Sequence, residues 1–212
     1  MLLPDARSLW APTLDTRRIR TSQTPVQVAI AQLQALRPLF GKRQVIVLAD
    51  RGYATPDFLR ACHELGYSVV VRSTRDRNLY RLPVRIHKRG PFPKDGPVLQ
   101  GKRKETHGRP DEVCLQQDCK GKSVRISRWD DLHFQQDRSL LLKAVCVERE
   151  AAKDDKRDPR LSWFVMLDEI VPLSQLPGQY ARRFSHEHNN RFRHRKTCSG
   201  RVSMLSSNTP KN

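Results

Sequence analysis

The sequence predicts an α/β fold, and three consecutive stretches carry that expectation. Val45 to Ala49 is a continuous apolar run that fits a strand buried on both faces, and it ends abruptly in Asp50, Arg51 and Gly52. Thr55 to Leu65 opens with a capping residue and a proline, sets Phe58, Leu59, Cys62 and Leu65 on one apolar stripe, and is stopped by Gly66. Tyr67 to Val71 then reads as a second buried strand, so strand, helix and strand form one right-handed crossover unit. Asp50 thereby falls at the carboxyl end of a strand. In open α/β sheets that is the edge where ligands and catalytic groups gather.

A length of 212 residues suits one domain, or one domain carrying a large insertion. With 37% hydrophobic and 29% charged residues, the core is expected to be modest. Forty Lys and Arg against 22 Asp and Glu leave a formal charge of +18, which favours a polyanionic partner. Nucleic acid is preferred over a membrane. No apolar run approaches the roughly 20 residues of a spanning helix, and no basic amphipathic helix has a strong apolar face. The amino terminus has an early Pro4 and Asp5 and too short an apolar stretch for a secretory signal, so a cytoplasmic location is expected. The five cysteines, at positions 62, 114, 119, 146 and 198, suggest no disulfide framework. Cys114 and Cys119 lie close together but lack a second pair at zinc-site spacing.

Along the chain, Trp10 to Ile19 alternates weakly and reads as an edge strand, with Pro12 against a central place. Thr24-Pro25 starts a helix carrying Val28, Ala31, Leu33, Leu36 and Leu39, closed by Pro38 and Gly41. Arg72 to Tyr80 reads as a basic loop or strand extension. Residues 1–80 therefore form the first part of the core. From 81 to 158 the texture changes: prolines and glycines crowd Pro83 to Pro110, Ser123 to Trp129 alternates, and Ser139 to Val147 reads as a strand, giving an inserted β-rich region. Its positive run, Arg85, His87, Lys88, Arg89, Lys94, Lys102, Arg103 and Lys104, is either a solvated loop or a nucleic-acid contact. Residues 159–196 hold a last core strand, Leu161 to Leu167, and a very polar helix from Gln179 to Lys196. Residues 197–212 form a small, polar, unstructured tail, and no internal repeat is evident.

Two separated motifs agree. Leu48-Ala-Asp50-Arg-Gly-Tyr53, followed by a helix and Val69-Val-Val-Arg72, resembles the segment around the second catalytic aspartate of the DDE transposases of bacterial insertion sequences. Far downstream, Tyr180-x-x-Arg183-x-x-x-Glu187 is similar to the helix signature that carries their catalytic glutamate, and the stretch from Lys88 to Gly96 is similar to their β-rich insertion. The resemblance spans Trp10 to Lys196. It implies a ribonuclease-H-like mixed sheet with flanking helices, interrupted by that insertion. It also implies metal-dependent phosphodiester cleavage and strand transfer at transposon ends, with two divalent ions, Mg2+ or Mn2+. Asp50 and Glu187 are then the metal ligands and catalytic carboxylates. Tyr180 and Arg183 position the DNA backbone, and Arg191 and Lys196 add DNA contacts. The implied partners are transposon-end and target DNA, with a homodimer on DNA among the allowed arrangements.

The chain departs from the family pattern in two places. The position seven beyond the glutamate, usually lysine, is His194, with Arg195 and Lys196 after it. No buried strand ending in aspartate precedes the first helix, where Asp5 and Asp15 are the only acids. The first catalytic aspartate is thus expected to be missing, the Val45 to Ala49 strand to have an unpaired flank, and the chain to be an amino-terminally truncated copy of impaired activity. Plain rivals stay open: Asp50 capping the next turn, Glu187 pairing with Arg183 or Arg191, Tyr180 and Phe184 pinning a helix to the sheet. Two other functions also stay open: a non-catalytic DNA-binding remnant, and a metal-dependent nuclease that joins no strands.

Overall fold

The structure, a computed structural model, describes residues 13–85, 91–118, 121–149, 161–168 and 171–184. Residues 16–181 form one compact unit; residues 1–15 and 182–212 form a second, described only at Thr13–Asp15 and Arg182–Phe184.

In the large unit, α1 (Pro25–Phe40) begins with a capping box: Gln27 N–H donates to Thr24 Oγ1 at 3.2 Å, and Thr24 N–H donates to Gln27 Oε1 at 2.9 Å. Val28, Ala29, Leu33 and Leu36 are buried, but Leu39, expected on the same stripe, is 70% exposed. Pro38 does not close the helix. It sits inside the last turn, and the chain leaves at Gly41, whose φ of +53° ends the helical run. Of the predicted edge strand over Trp10 to Ile19, residues 10–12 lie outside the described residues, Thr13 forms a single bridge, and residues 14–20 carry no strand.

The crossover unit forms as expected. Strand β1 (Ile46–Ala49) leads through a 3-10 turn, Arg51–Tyr53, into α2 (Pro56–Glu64), then β2 (Ser68–Ser73), which pairs parallel to β1. Thr55 Oγ1 accepts from Phe58 N–H at 3.4 Å, and Phe58, Leu59 and Cys62 are buried. Helix α2 ends in a Schellman motif: Gly66, φ +67°, donates to the His63 carbonyl and Tyr67 N–H to that of Cys62, both at 2.9 Å. Tyr67, 1% exposed, donates its hydroxyl to the Leu33 carbonyl at 2.9 Å, fastening α1 to the start of β2.

Among the described residues, six further strands complete an eight-stranded sheet: β3 (Asn78–Arg81), β4 (Val98–Gln100), β5 (Glu112–Gln117), β6 (Ser123–Phe134), β7 (Asp137–Arg149) and β8 (Leu161–Leu167). The order is β1-β2-β8-β7-β6-β3-β4, with β5 also on β6, and every pair but β1 with β2 is antiparallel. Strand β8 thus lies between β2 and the long β6–β7 hairpin and joins the crossover unit and the β-rich strands into one sheet. Among the described residues β1 pairs only with β2. For that reason it is not buried on both faces as predicted: only Ala49 is buried, and Ile46, Val47 and Leu48 are half-buried.

The core on one face gathers Val70, Phe164, Met166, Val145, Val147 and Ile126 beneath Leu173, Leu176 and Tyr180, with Ile46 and Leu48 packed against its edge. The three covering residues come from a 3-10 turn, Leu173–Gln175, and α3 (Leu176–Ala181). Helix α3 therefore starts before the predicted Gln179. Arg182–Phe184 continues it as a 3-10 turn, and the rest of the predicted helix lies outside the described residues.

Candidate active site at the end of strand β1

Asp50 leaves β1 in extended conformation, φ −87° and ψ 171°, and the 3-10 turn starts on its carbonyl, which accepts from Tyr53 N–H at 2.9 Å. Its carboxylate makes no capping hydrogen bond to that turn, so the capping rival loses its basis. Strand alternation puts Asp50 on the same face as Ile46 and Leu48, the face covered by α3. Ala49 pairs with Val71; one residue further, the same register sets Asp50 beside Arg72, whose own antiparallel partner is Phe164. Of the two readings of the stretch from Arg72, basic loop or strand extension, the second holds for Arg72 and Ser73. The extension of β2 to Ser73 places Arg72 on the strand beside β1, one position beyond the last recorded pair.

Tyr180 reaches the same place from the far end of the unit. Its hydroxyl donates to the Ala49 carbonyl at 3.3 Å across 131 residues of sequence, and its ring meets Phe164 edge to face at 4.7 Å. The ring is only 6% exposed. This matches the alternative in which Tyr180 pins its helix to the sheet: it is a core residue whose hydroxyl holds the peptide immediately before Asp50. Sequence position alone leaves both readings open, because a tyrosine on a polar helix reads equally well as surface contact or anchor.

Arg183 lies half-buried in the 3-10 turn of the second unit, and Arg51 is exposed on the first. Glu187, Arg191 and Lys196 lie outside the described residues, as do His87, Lys88 and Arg89 of the basic run. Of that run, Arg85, Lys94, Lys102, Arg103 and Lys104 are exposed, and Lys102 pairs with Asp76 at 3.1 Å.

The donor chemistry at Asp50 is a carboxylate at a strand end, which suits a hard, oxygen-seeking ion such as Mg2+ or Mn2+ rather than zinc. Among the described residues no group of three or more His, Cys, Asp or Glu gathers as a metal site. Two of the described thiols are unsuited to nucleophilic chemistry: burial pushes Cys62 and Cys146 up to about 12. No helix among the described residues is long and apolar enough to cross a membrane.

A parallel strand ending in an acid, a helix returning to the next strand, and a mixed sheet with few helices define a ribonuclease-H-like α/β nuclease fold. The family model described as DDE superfamily endonuclease matches residues 5–133, more than half of the chain, and the protein belongs to that family. No curated protein matches the sequence. The family implies DNA as substrate, and its nucleases typically use divalent metals. Asp50 lies inside the matched range; Tyr180, Arg183 and Glu187 lie beyond it.

Proposed function

We propose that the chain is a DDE-type DNA transposase core that cleaves phosphodiesters and transfers strands at transposon ends, with Asp50 and Glu187 as its two identified carboxylates. The observation that carries the reading is the hydrogen bond from Tyr180 to the carbonyl of Ala49. It ties the segment that begins the second motif to the peptide in front of the first motif's acid, and chance similarity of two short motifs gives no reason for such a meeting.

On this reading Asp50 and Glu187 hold divalent ions, preferably Mg2+, which when bound activate a water or a DNA 3′-hydroxyl and stabilise the leaving oxygen. Tyr180 acts through the backbone by fixing where Asp50 begins. Arg183, Arg191 and Lys196 hold the DNA phosphates, and Arg72 offsets negative charge beside Asp50. With two assigned carboxylates instead of three, ion binding is weak and the chain alone a poor catalyst.

The test is nicking and strand transfer on labelled supercoiled DNA by the full chain, across a Mg2+ and Mn2+ titration. Slow metal-dependent nicking, lost in both Asp50→Ala and Glu187→Ala, is expected. Nicking that survives Asp50→Ala would falsify the site. DNA binding with no cleavage at any metal concentration would instead favour the non-catalytic reading, and cleavage without joined product the simple nuclease.

A further inference from the structure

An open cleft of about 330 Å3 lies where the turn after β2 meets the tip of the β6–β7 hairpin, lined by Asp76, Arg77, Asn78, Tyr80, Gln135 and Gln136 among others. Its volume lies within the range of small-ligand sites. Arg77 is the unusual member. Its guanidinium stacks over the Phe134 ring at 5.7 Å, and Phe134 is 1% exposed, so one face of the cation is packed against the core. Burial disfavours its charge, lowering its pKa. Yet among the described residues Arg77 has no carboxylate partner. The acid beside it in the cleft, Asp76, is taken by Lys102 at 3.1 Å, and the amide of Asn78 accepts from Gln100 at 2.9 Å. A partly desolvated guanidinium is costly without an anion, and its planar fork suits a phosphate. Around it stand two exposed side-chain amides, Gln135 and Gln136, and the half-buried ring of Tyr80. Amides supply paired donors and acceptors that match the edge of a nucleobase.

We propose that this cleft binds one nucleotide unit, its phosphate on Arg77 and its base against Gln135, Gln136 and Tyr80. A duplex does not fit, because its bases are paired and stacked inside, whereas a single strand or a free nucleotide presents phosphate and base edge together. The site uses none of the groups at the end of β1, so it stands or falls independently of the assignment of Asp50.

The experiment is fluorescence anisotropy of the full chain with a labelled thymidine decamer, an abasic decamer of the same length and a 20-base-pair duplex, with thymidine monophosphate and inorganic phosphate as competitors. Loss of a charge-assisted contact predicts roughly tenfold weaker decamer binding for Arg77→Ala and a smaller loss for Arg77→Lys. Duplex affinity should be unchanged. Gln136→Ala, a change at an exposed side chain, should weaken the thymidine decamer severalfold and leave the abasic one alone, which keeps the test valid should Arg77→Ala unfold. Competition by thymidine monophosphate but not by phosphate assigns the site to free nucleotides as well; competition by neither assigns it to strands. Equal losses for decamer and duplex, or no loss for either in both variants, overturns the proposal.

Discussion

Replacing Tyr180 with phenylalanine removes one oxygen and leaves the ring, so it isolates the hydroxyl that holds the Ala49 carbonyl. The bond is long, 3.3 Å, and links neutral groups in a buried place, so its net worth is at the ordinary level of about 0.5–1.5 kcal/mol. For a domain of this size each kcal/mol moves the melting midpoint by about 2–4 °C, which predicts a fall of roughly 1–6 °C. Tyr180→Ala also empties the space against Phe164 and Leu176 and should cost about 3–5 kcal/mol, the range for a buried aromatic. Urea unfolding and thermal melts of the two variants measure these steps. The functional consequence is separate: with the peptide before Asp50 released, Tyr180→Phe should need more Mn2+ for half-maximal nicking under conditions where it is fully folded. If the phenylalanine variant loses as much stability as the alanine variant, the hydroxyl is not a local fastening. If it melts like the parent and nicks at the same Mn2+ concentration, Tyr180 does not position Asp50.

Two further outcomes test the scaffold. Arg60 of α2 donates through Nε at 2.8 Å, and through Nη2, to the Asp137 carboxylate at the β6–β7 hairpin, and holds that acid below the usual carboxylate range. Because the folded value is depressed, its stabilisation is fully present above the unfolded value near pH 4 and is lost as pH falls through the folded one; Asp137→Asn should flatten the acid limb of a stability-against-pH curve below about pH 4. Gly101 has no room for a methyl group: a Cβ there meets Trp163 Cε2 at 2.7 Å, and Trp163 is 4% exposed and stacked on Trp129. Gly101→Ala should therefore destabilise by about 1–3 kcal/mol in urea unfolding, and an unchanged midpoint would show that the indole moves aside.

Local signals and long-range pairing were unequally legible in the sequence. Thr24-Pro25 and Thr55-Pro56 located both long helix starts, and Gly66 located a helix end, because caps and positive φ depend on adjacent residues. Leu39 was misplaced because a helix stripe does not reveal where the surface it packs on ends. The half-burial of β1 goes with the unpaired flank that the resemblance implies, and not with its apolar run, which reports only what a strand tolerates. Nothing local could set β8 between β2 and β7, since that pairing joins residues nearly a hundred positions apart. Of the candidate site, the place of Asp50 at a strand end was legible from the apolar run before it, and Tyr180 was legible as either a DNA contact or an anchor of its helix on the sheet. Its partner is a backbone carbonyl, which no side-chain pattern encodes.

That partner gives a physical reason for an aromatic carrying a hydroxyl at position 180. A carboxylate at the end of an edge strand has a flexible foundation, because the strand is hydrogen-bonded on one side only among the described residues. Metal sites require ligand oxygens held to a fraction of an ångström. Tyr180 supplies a second support from the sheet face, where Phe164 and Leu176 already fix its ring, and it does so at the peptide next to Asp50. The backbone at Asp50 is thus fastened from two directions, by β2 alongside and by α3 above. Adding a strand to the open side of β1 should then reduce the dependence on Tyr180. In a fusion that supplies such a strand, Tyr180→Phe should lose less Mn2+ affinity than in the chain alone; an equal loss in both would mean that the hydroxyl and the strand support different parts of the site.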